Sequence, residues 1–297
     1  MAEQGGTWTV RRLLEWTPGF FQKKGVDQPR LSAELLLGHV LSLPRIKLYT
    51  DYDRVLDETK LSAYRELVRR AGEHEPIAYL TGRAHFFSLE FDVSRDVLIP
   101  RPDTETLVEN VLQTVRHQSG MESPRVLDLC TGSGCVAAAI AKNLKTATVI
   151  AIDISPPAVE IAKNNIEKLG LTDRVTVEQG DLFEPIKRMV DARPFDMIVA
   201  NPPYIATDQL AELDKSVRDF EPLTALDGGE DGLSIHRRIL QTAPDHLTAA
   251  GRVFLEIAFD QGAAAKELAG SFPAFEDIRI LKDFSGRDRV LSLKRTS

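Results

Sequence analysis

The chain has 297 residues, of which 43% are hydrophobic and 27% charged, with 19 Gly, 16 Pro and a formal net charge of −7. This length favours two folded units over one, and the composition is that of a globular protein, not of collagen, a coiled coil or a disordered chain. The acidic balance leaves no general electrostatic grip on nucleic-acid phosphates, and no apolar run of about 18 residues is present to span a bilayer.

The N-terminus, with Glu3, Gln4, Gly5 and Gly6, lacks the basic-then-apolar pattern of a targeting signal, so a cytoplasmic protein without a membrane partner is expected. From Thr9 to about Gly72 apolar residues recur at helical spacing, as in Leu31, Leu35, Leu36 and Leu37, then Leu56, Leu61, Tyr64, Leu67 and Val68. Pro18, Gly25, Pro29 and Pro44 are expected to divide this stretch into four or five short helices. Residues 77–99 change character: Phe86, Phe87, Leu89, Phe91 and Val93 alternate in part, which reads as a hairpin or extended linker.

After Pro102 the pattern alternates between helix and strand. Strands are predicted over 125–129, 148–154, 175–179, 195–200 and 252–257, with a helix over 137–144 behind a Gly-rich turn. This alternation implies an α/β fold with a mostly parallel sheet covered on both faces. Residues 278–283, a Ser285-Gly286 turn and residues 290–294 predict a terminal hairpin that gives the sheet an antiparallel edge. The acidic stretch Asp227-Gly228-Gly229-Glu230-Asp231-Gly232 is expected to be a flexible loop. His74, His85 and His236 lack metal-ligand spacing, and Cys130 and Cys135 suit neither a zinc site nor a secreted disulfide framework, so no metal is expected.

Candidate chemistry gathers at the strand ends. Asp128-Leu129-Cys130-Thr131-Gly132-Ser133-Gly134 lies between a strand and a helix, where glycines allow a sharp turn and close approach to a ligand. A dinucleotide-binding turn has a further glycine three residues after the second, which Gly132 and Gly134 do not share; with Asp128 before the turn, this favours S-adenosylmethionine over a nicotinamide cofactor. Asp153 ends the next strand and is placed to accept hydrogen bonds from ribose hydroxyls; its alternative is to cap the following helix, which Ser155 could equally do. Asp181 and Leu182 follow the third strand, where they could bond the adenine amino group and pack on its ring, or form a plain polar turn.

The most specific feature is Asn201-Pro202-Pro203-Tyr204 behind the apolar strand 195–200. Two prolines have no N–H and fix the chain, so neighbouring carbonyls point outward from the strand end. The Asn201 side-chain oxygen and the Pro202 carbonyl can each accept one hydrogen of a substrate NH2, and Tyr204 can stack on a planar group. Such a site suits methylation of a planar nitrogen. A sulfonium methyl needs an in-line nucleophile about 3 Å away, so positioning supplies most of the catalysis, and two acceptors would raise the electron density of a poorly nucleophilic amide.

Together with Leu98-Ile99-Pro100-Arg101-Pro102-Asp103-Thr104-Glu105, Pro76-Ile77-Ala78-Tyr79-Leu80-Thr81-Gly82 and Phe220-Glu221-Pro222-Leu223-Thr224-Ala225-Leu226, these motifs make the chain resemble the PrmC/HemK family over about residues 30–295. The resemblance implies a glutamine N5-methyltransferase acting on the Gly-Gly-Gln loop of class I peptide-chain release factors. It implies a helical N-terminal substrate-recognition domain (1–76), a hairpin linker (77–99) and a catalytic domain (100–297) of the class I, Rossmann-like methyltransferase fold. It assigns Asp128, Cys130, Thr131, Gly132, Ser133, Gly134, Asp153, Asp181, Leu182 and Asn201 to S-adenosylmethionine. Asn201, Pro202, Pro203 and Tyr204 fall to the glutamine amide, with Arg101 and Pro102 beside it; Asn201, Pro202 and Tyr204 are the catalytic candidates. Two departures bear on cofactor affinity. Cys130 stands where many members have glycine, which is tolerable if its φ is negative, and Leu182 stands where some have an aromatic residue. A monomer is expected. The competing readings are an adenine or cytosine amino methyltransferase, disfavoured by the acidic balance, a methyltransferase of a ribosomal-protein glutamine, and an inactive binding module for a translation factor.

Overall fold

The computed structural model of the chain describes residues 7–118, 121–189 and 193–296; Glu3 to Gly6, on which the targeting expectation rests, lie outside the described residues. The chain forms two units, one of residues 1–83 with 214–220, the other of 84–213 with 221–297.

The first unit is helical: α1 (Val10–Lys24), α2 (Pro29–Leu41), α3 (Arg45–Thr50), α4 (Glu58–Ala71) and α5 (Ile77–Thr81). Its boundaries follow from caps. The Thr9 hydroxyl accepts the Arg12 N–H, Asp57 accepts the Lys60 N–H, and Gly25 ends α1 with φ +70°. Pro18 does not divide the chain as expected but sits inside α1. A proline there leaves the carbonyl four residues earlier without its helical donor. The Arg30 guanidinium, reaching across from α2, donates to that Leu14 carbonyl at 3.0 Å. The core of this unit is Leu13, Leu14, Phe21, Leu36, Leu37 and Tyr64, and the buried Tyr64 hydroxyl donates to Thr17 at 3.0 Å.

The second unit opens on a hairpin, β1 (Arg83–Phe86) and β2 (Leu89–Asp92), followed by α6 (Glu105–His117). Then come β3 (Arg125–Leu129), α7 (Cys135–Asn143), β4 (Thr148–Asp153), α8 (Pro156–Lys168), β5 (Val175–Gln179) and β6 (Phe195–Ala200). The short α9 (Lys215–Arg218) groups with the first unit. The chain ends with α10 (Ser234–Thr242), β7 (Leu247–Glu256), α11 (Gly262–Gly270), β8 (Phe275–Lys282) and β9 (Asp288–Arg295). Among the described residues, seven strands form one sheet in the order β5-β4-β3-β6-β7-β9-β8, parallel except where β9 runs against β7 and β8. The parallel strands are apolar along most of their length because both faces are covered. One face buries Val126, Val149, Met197 and Val199 under α6, α7 and α8; the other buries Leu127, Ile152, Ile198 and Leu255 with Ile239 and Leu240 of α10.

The strand order reverses direction at β3 and β6, and Leu129 lies opposite Ala200. In an open parallel sheet the crevice outside the carboxyl ends at such a reversal is where ligands bind. The residues after Leu129 and after Ala200 are the Gly-rich turn and Asn201.

Candidate functional site

At this reversal lies a cavity of about 410 Å³, within the range of small-molecule sites. Its lining includes the predicted Arg101, Asp128, Cys130, Thr131, Gly132, Ser133, Asp153, Asp181, Leu182, Asn201 and Pro203. Pro102, Gly134, Pro202 and Tyr204 are not among the lining residues.

The Gly-rich turn is held from beneath. Asp128 is buried and its Oδ2 accepts the Thr131 hydroxyl at 2.6 Å and the Ala137 N–H at 3.2 Å, tying the first turn of α7 to the end of β3. Burial pushes this carboxyl up to about 7. The Thr131 N–H bonds the Ile152 carbonyl at 3.0 Å, joining the turn to β4. Gly134 has φ +78°, and a Cβ there would meet the Ala162 Cβ at 3.3 Å, so both conformation and space favour glycine.

Asp153 Oδ2 accepts the Gly132 N–H at 2.8 Å and its Oδ1 accepts the Ser155 N–H at 3.0 Å. Ser155, not Asp153, caps α8, its hydroxyl accepting the Ala158 N–H. Each carboxylate oxygen of Asp153 keeps lone-pair capacity for a further donor in the cavity. Beyond it, Ile154, Leu182 and Ile235 give the cavity an apolar end. There Asp181 is paired with Arg238 at 2.6 Å, and both line the cavity. Gly180 allows the chain to pass Pro185, whose Cγ would stand 2.3 Å from an added Cβ.

Cys130 has φ +57°, so the condition of a negative φ set by the sequence is not met; Leu182 is likewise left-handed at +50°. The turn forces Cys130 into a conformation that disfavours any side chain by about 1–2 kcal/mol, which accounts for glycine being suited to that position. Cys130→Val puts a β-branched residue there and is expected to lower stability by about 1–2 kcal/mol in thermal denaturation. Cys130→Gly should stay near wild type, because relief of strain is offset by a more flexible unfolded chain. A valine variant as stable as wild type would contradict the strained turn.

Asn201 leaves β6 with its Nδ2 donating to the Thr104 hydroxyl oxygen at 3.1 Å, which turns the amide oxygen the other way. The Tyr204 ring, expected to stack on a planar group, instead directs its hydroxyl to Glu256 Oε1 at 3.4 Å. The Tyr204 backbone is clasped by the Asp227–Gly232 stretch, which is not the flexible loop expected. The Gly228 N–H bonds the Ile205 carbonyl at 2.8 Å, the Thr207 hydroxyl bonds Asp227 at 2.8 Å, and a Cβ on Gly232 would stand 2.4 Å from the Tyr204 carbonyl oxygen. Glycines let this segment press against the chain leaving Pro203. On the rim, Arg101 donates to the buried Glu221 at 2.5 Å.

Thr104, Glu256, Ile235 and Arg238 were missed. Glu256 leaves one signal in the sequence, a lone acid ending the apolar run Val253-Phe254-Leu255, whereas nothing local marks Arg238 as part of the cavity.

Two family models match the chain, one described as the PrmC N-terminal domain over residues 12–82 and one as a methyltransferase domain over residues 121–242. The chain is 44% identical to a release factor glutamine methyltransferase of Rhodopirellula baltica, over 97% of each chain, and 42% identical to one of Geobacter sulfurreducens, over 98% of each. Among solved structures, a methyltransferase from Pyrococcus furiosus shares the fold with a TM-score of 0.51 at 18% identity, covering 80% of this chain and 100% of that one.

Proposed function

Because this chain belongs to the release factor glutamine methyltransferase family, we propose that it methylates N5 of the glutamine in the Gly-Gly-Gln motif of class I peptide-chain release factors, using S-adenosylmethionine. The observation that carries this reading is the Asn201 amide at the cavity, its NH2 already given to Thr104 and its oxygen left to accept from an incoming amide.

The residues present fit the cofactor. Asp153 offers carboxylate oxygens of the kind that bind a ribose diol, Leu182, Ile154 and Ile235 offer an apolar end for a purine, and Asp181 stands beside them as an acceptor for its amino group. At the other end the turn from Cys130 to Gly134 and Asp128 surround room for an amino-acid moiety. Bound there, S-adenosylmethionine supplies an electrophilic methyl on a sulfonium, with S-adenosylhomocysteine as the product left behind.

The protein's part is binding, orientation and charge. Asn201 Oδ1 and the Pro202 carbonyl take the two hydrogens of the glutamine amide, fix its plane and favour the positive charge that develops on nitrogen. Pro203 lines the cavity beside them, and the rigid Pro-Pro backbone holds both acceptors without reorganisation. Tyr204, its hydroxyl turned to Glu256, supports this segment from behind more than by stacking on the substrate. Arg101, anchored by Glu221, and Pro102 border the entrance for the peptide. The helical unit recognises the body of the release factor, and the enzyme acts as a cytoplasmic monomer without metal, membrane or nucleic-acid partner.

The test is transfer of label from methyl-labelled S-adenosylmethionine to a class I release factor, to a version with the Gly-Gly-Gln glutamine replaced, to ribosomal proteins and to DNA. Label on the intact release factor alone is expected. Label on the altered factor, on a ribosomal protein or on DNA would assign a different acceptor, and no label anywhere would leave a binding module.

A further inference from the structure

Arg238 lies on α10 and enters no motif of the sequence, yet it lines the cavity. Its mount is rigid. Ile239 and Leu240 bury α10 against the sheet, and Ile235, three residues earlier and so on the same side of the helix as Arg238, lines the cavity with it. The Arg238 Nη2 donates to Asp181 Oδ2 at 2.6 Å.

This pair is poorly placed to serve stability. The Arg238 and Asp181 side chains are 49% and 33% exposed, and an ion pair so open to water contributes little, because solvent screens it and the ordering of both side chains offsets the attraction. What the pair does control is the direction of one carboxylate. The Asp181 backbone is already fixed: the Gly180 N–H bonds the Asp153 carbonyl at 2.9 Å, a Cβ on Gly180 would strike Pro185, and the Glu184 N–H closes a turn on the Asp181 carbonyl at 3.1 Å. Next along the chain, the Phe183 ring stacks on His246 with centroids 4.9 Å apart. Rotation of the Asp181 side chain is the freedom that remains, and Arg238 removes it. With Oδ2 taken, Oδ1 keeps its lone pairs for a donor in the cavity, which Leu182, Ile154 and Ile235 line with apolar surface.

An apolar slot with one fixed acceptor at its edge suits a purine that carries an amino group. We propose that Arg238 is a positioning residue of cofactor binding: by clamping Asp181 it holds a carboxylate oxygen for the 6-amino group of the adenine, and so makes the site prefer an aminopurine. The inference rests on the S-adenosylmethionine reading of the cavity. An acceptor that is clamped beforehand spares the ligand the cost of ordering that side chain on binding, whereas a purine without the amino group gains nothing from it.

The test is calorimetry on the full-length protein with S-adenosylhomocysteine and with its analogue bearing hydrogen in place of the 6-amino group. The wild type should bind S-adenosylhomocysteine roughly ten- to a hundredfold more tightly than the analogue, the effect of one hydrogen bond to a charged acceptor. R238M should weaken S-adenosylhomocysteine by about five- to tenfold and leave the analogue within about twofold, and R238K should recover most of the loss. In D181A the two compounds should bind alike, and adding R238M to D181A should change neither further. The Tm of R238M should stay near that of the wild type. Equal weakening of both compounds by R238M would make Arg238 a packing or general charge contact and overturn the inference. A preference for the amino compound that survives in D181A would overturn it too. A wild type that binds S-adenosylhomocysteine with R238M unchanged would remove this inference alone, whereas a wild type that binds neither compound would sink the cofactor reading and the inference with it.

Discussion

Replacing Asn201 with alanine is expected to lower kcat for methyl transfer by about 10²–10³, the effect of deleting one preorganised hydrogen bond that strengthens in the transition state. The amide nitrogen of a glutamine carries little nucleophilic density in its ground state, because its lone pair is shared with the carbonyl. Acceptors on its hydrogens therefore matter more as positive charge builds than on binding, and the loss belongs in kcat more than in KM. Asn201 stands at a strand end whose backbone is fixed by two prolines, and its partner Thr104 is buried, so no neighbour can replace its oxygen. Cofactor affinity should change little, which equilibrium binding of S-adenosylmethionine to the variant would show. Turnover within a few-fold of wild type would remove the amide acceptor from the mechanism.

Replacing Asp153 with alanine should show the opposite division. The proposed contact of this carboxylate with the ribose hydroxyls is lost, and a hydrogen bond to a charged group contributes about 1.5–3 kcal/mol, so Kd for S-adenosylmethionine should rise by roughly ten- to a hundredfold, with kcat at saturating cofactor much less affected. The variant also frees the Gly132 and Ser155 N–H groups that the carboxylate now accepts, so some loss of stability is expected. Ser155 still caps α8, which keeps the helix start intact and the binding measurement interpretable. Calorimetry of cofactor binding, with thermal denaturation of the same sample, separates the two effects. A variant that melts lower yet binds normally would reduce Asp153 to a brace of the turn.

Much of this protein was legible before any coordinates. The strands over 125–129, 175–179 and 195–200 match β3, β5 and β6 because buried parallel strands are apolar runs closed by turn residues, a local pattern. The Gly-rich turn and the Asn-Pro-Pro-Tyr segment could also be found locally, since each sits within a few residues of a strand end. Errors came where a distant side chain changed a local rule. Pro18 breaks helices in general, yet Arg30 from another helix supplies the missing donor to Leu14. Cys130 adopts positive φ because the turn is held by Asp128 beneath it and by β4 beside it. The Asp227–Gly232 stretch reads as a flexible loop from composition alone, but its glycines admit the Tyr204 backbone.

Sequence by itself thus determined the α/β class, the Gly-rich turn, the Asn-Pro-Pro-Tyr segment and the family, because period, turn chemistry and short motifs are properties of neighbouring residues. Only the tertiary structure decided that Asn201 gives its NH2 to Thr104 and that Tyr204 leans on Glu256 and not toward the cavity. Those relations join residues 104, 201, 204 and 256, brought together by the register of β6 and β7 and the docking of α6. Contacts between residues so far apart in the chain are settled by burial and strand pairing, and no local pattern of amino acids records either.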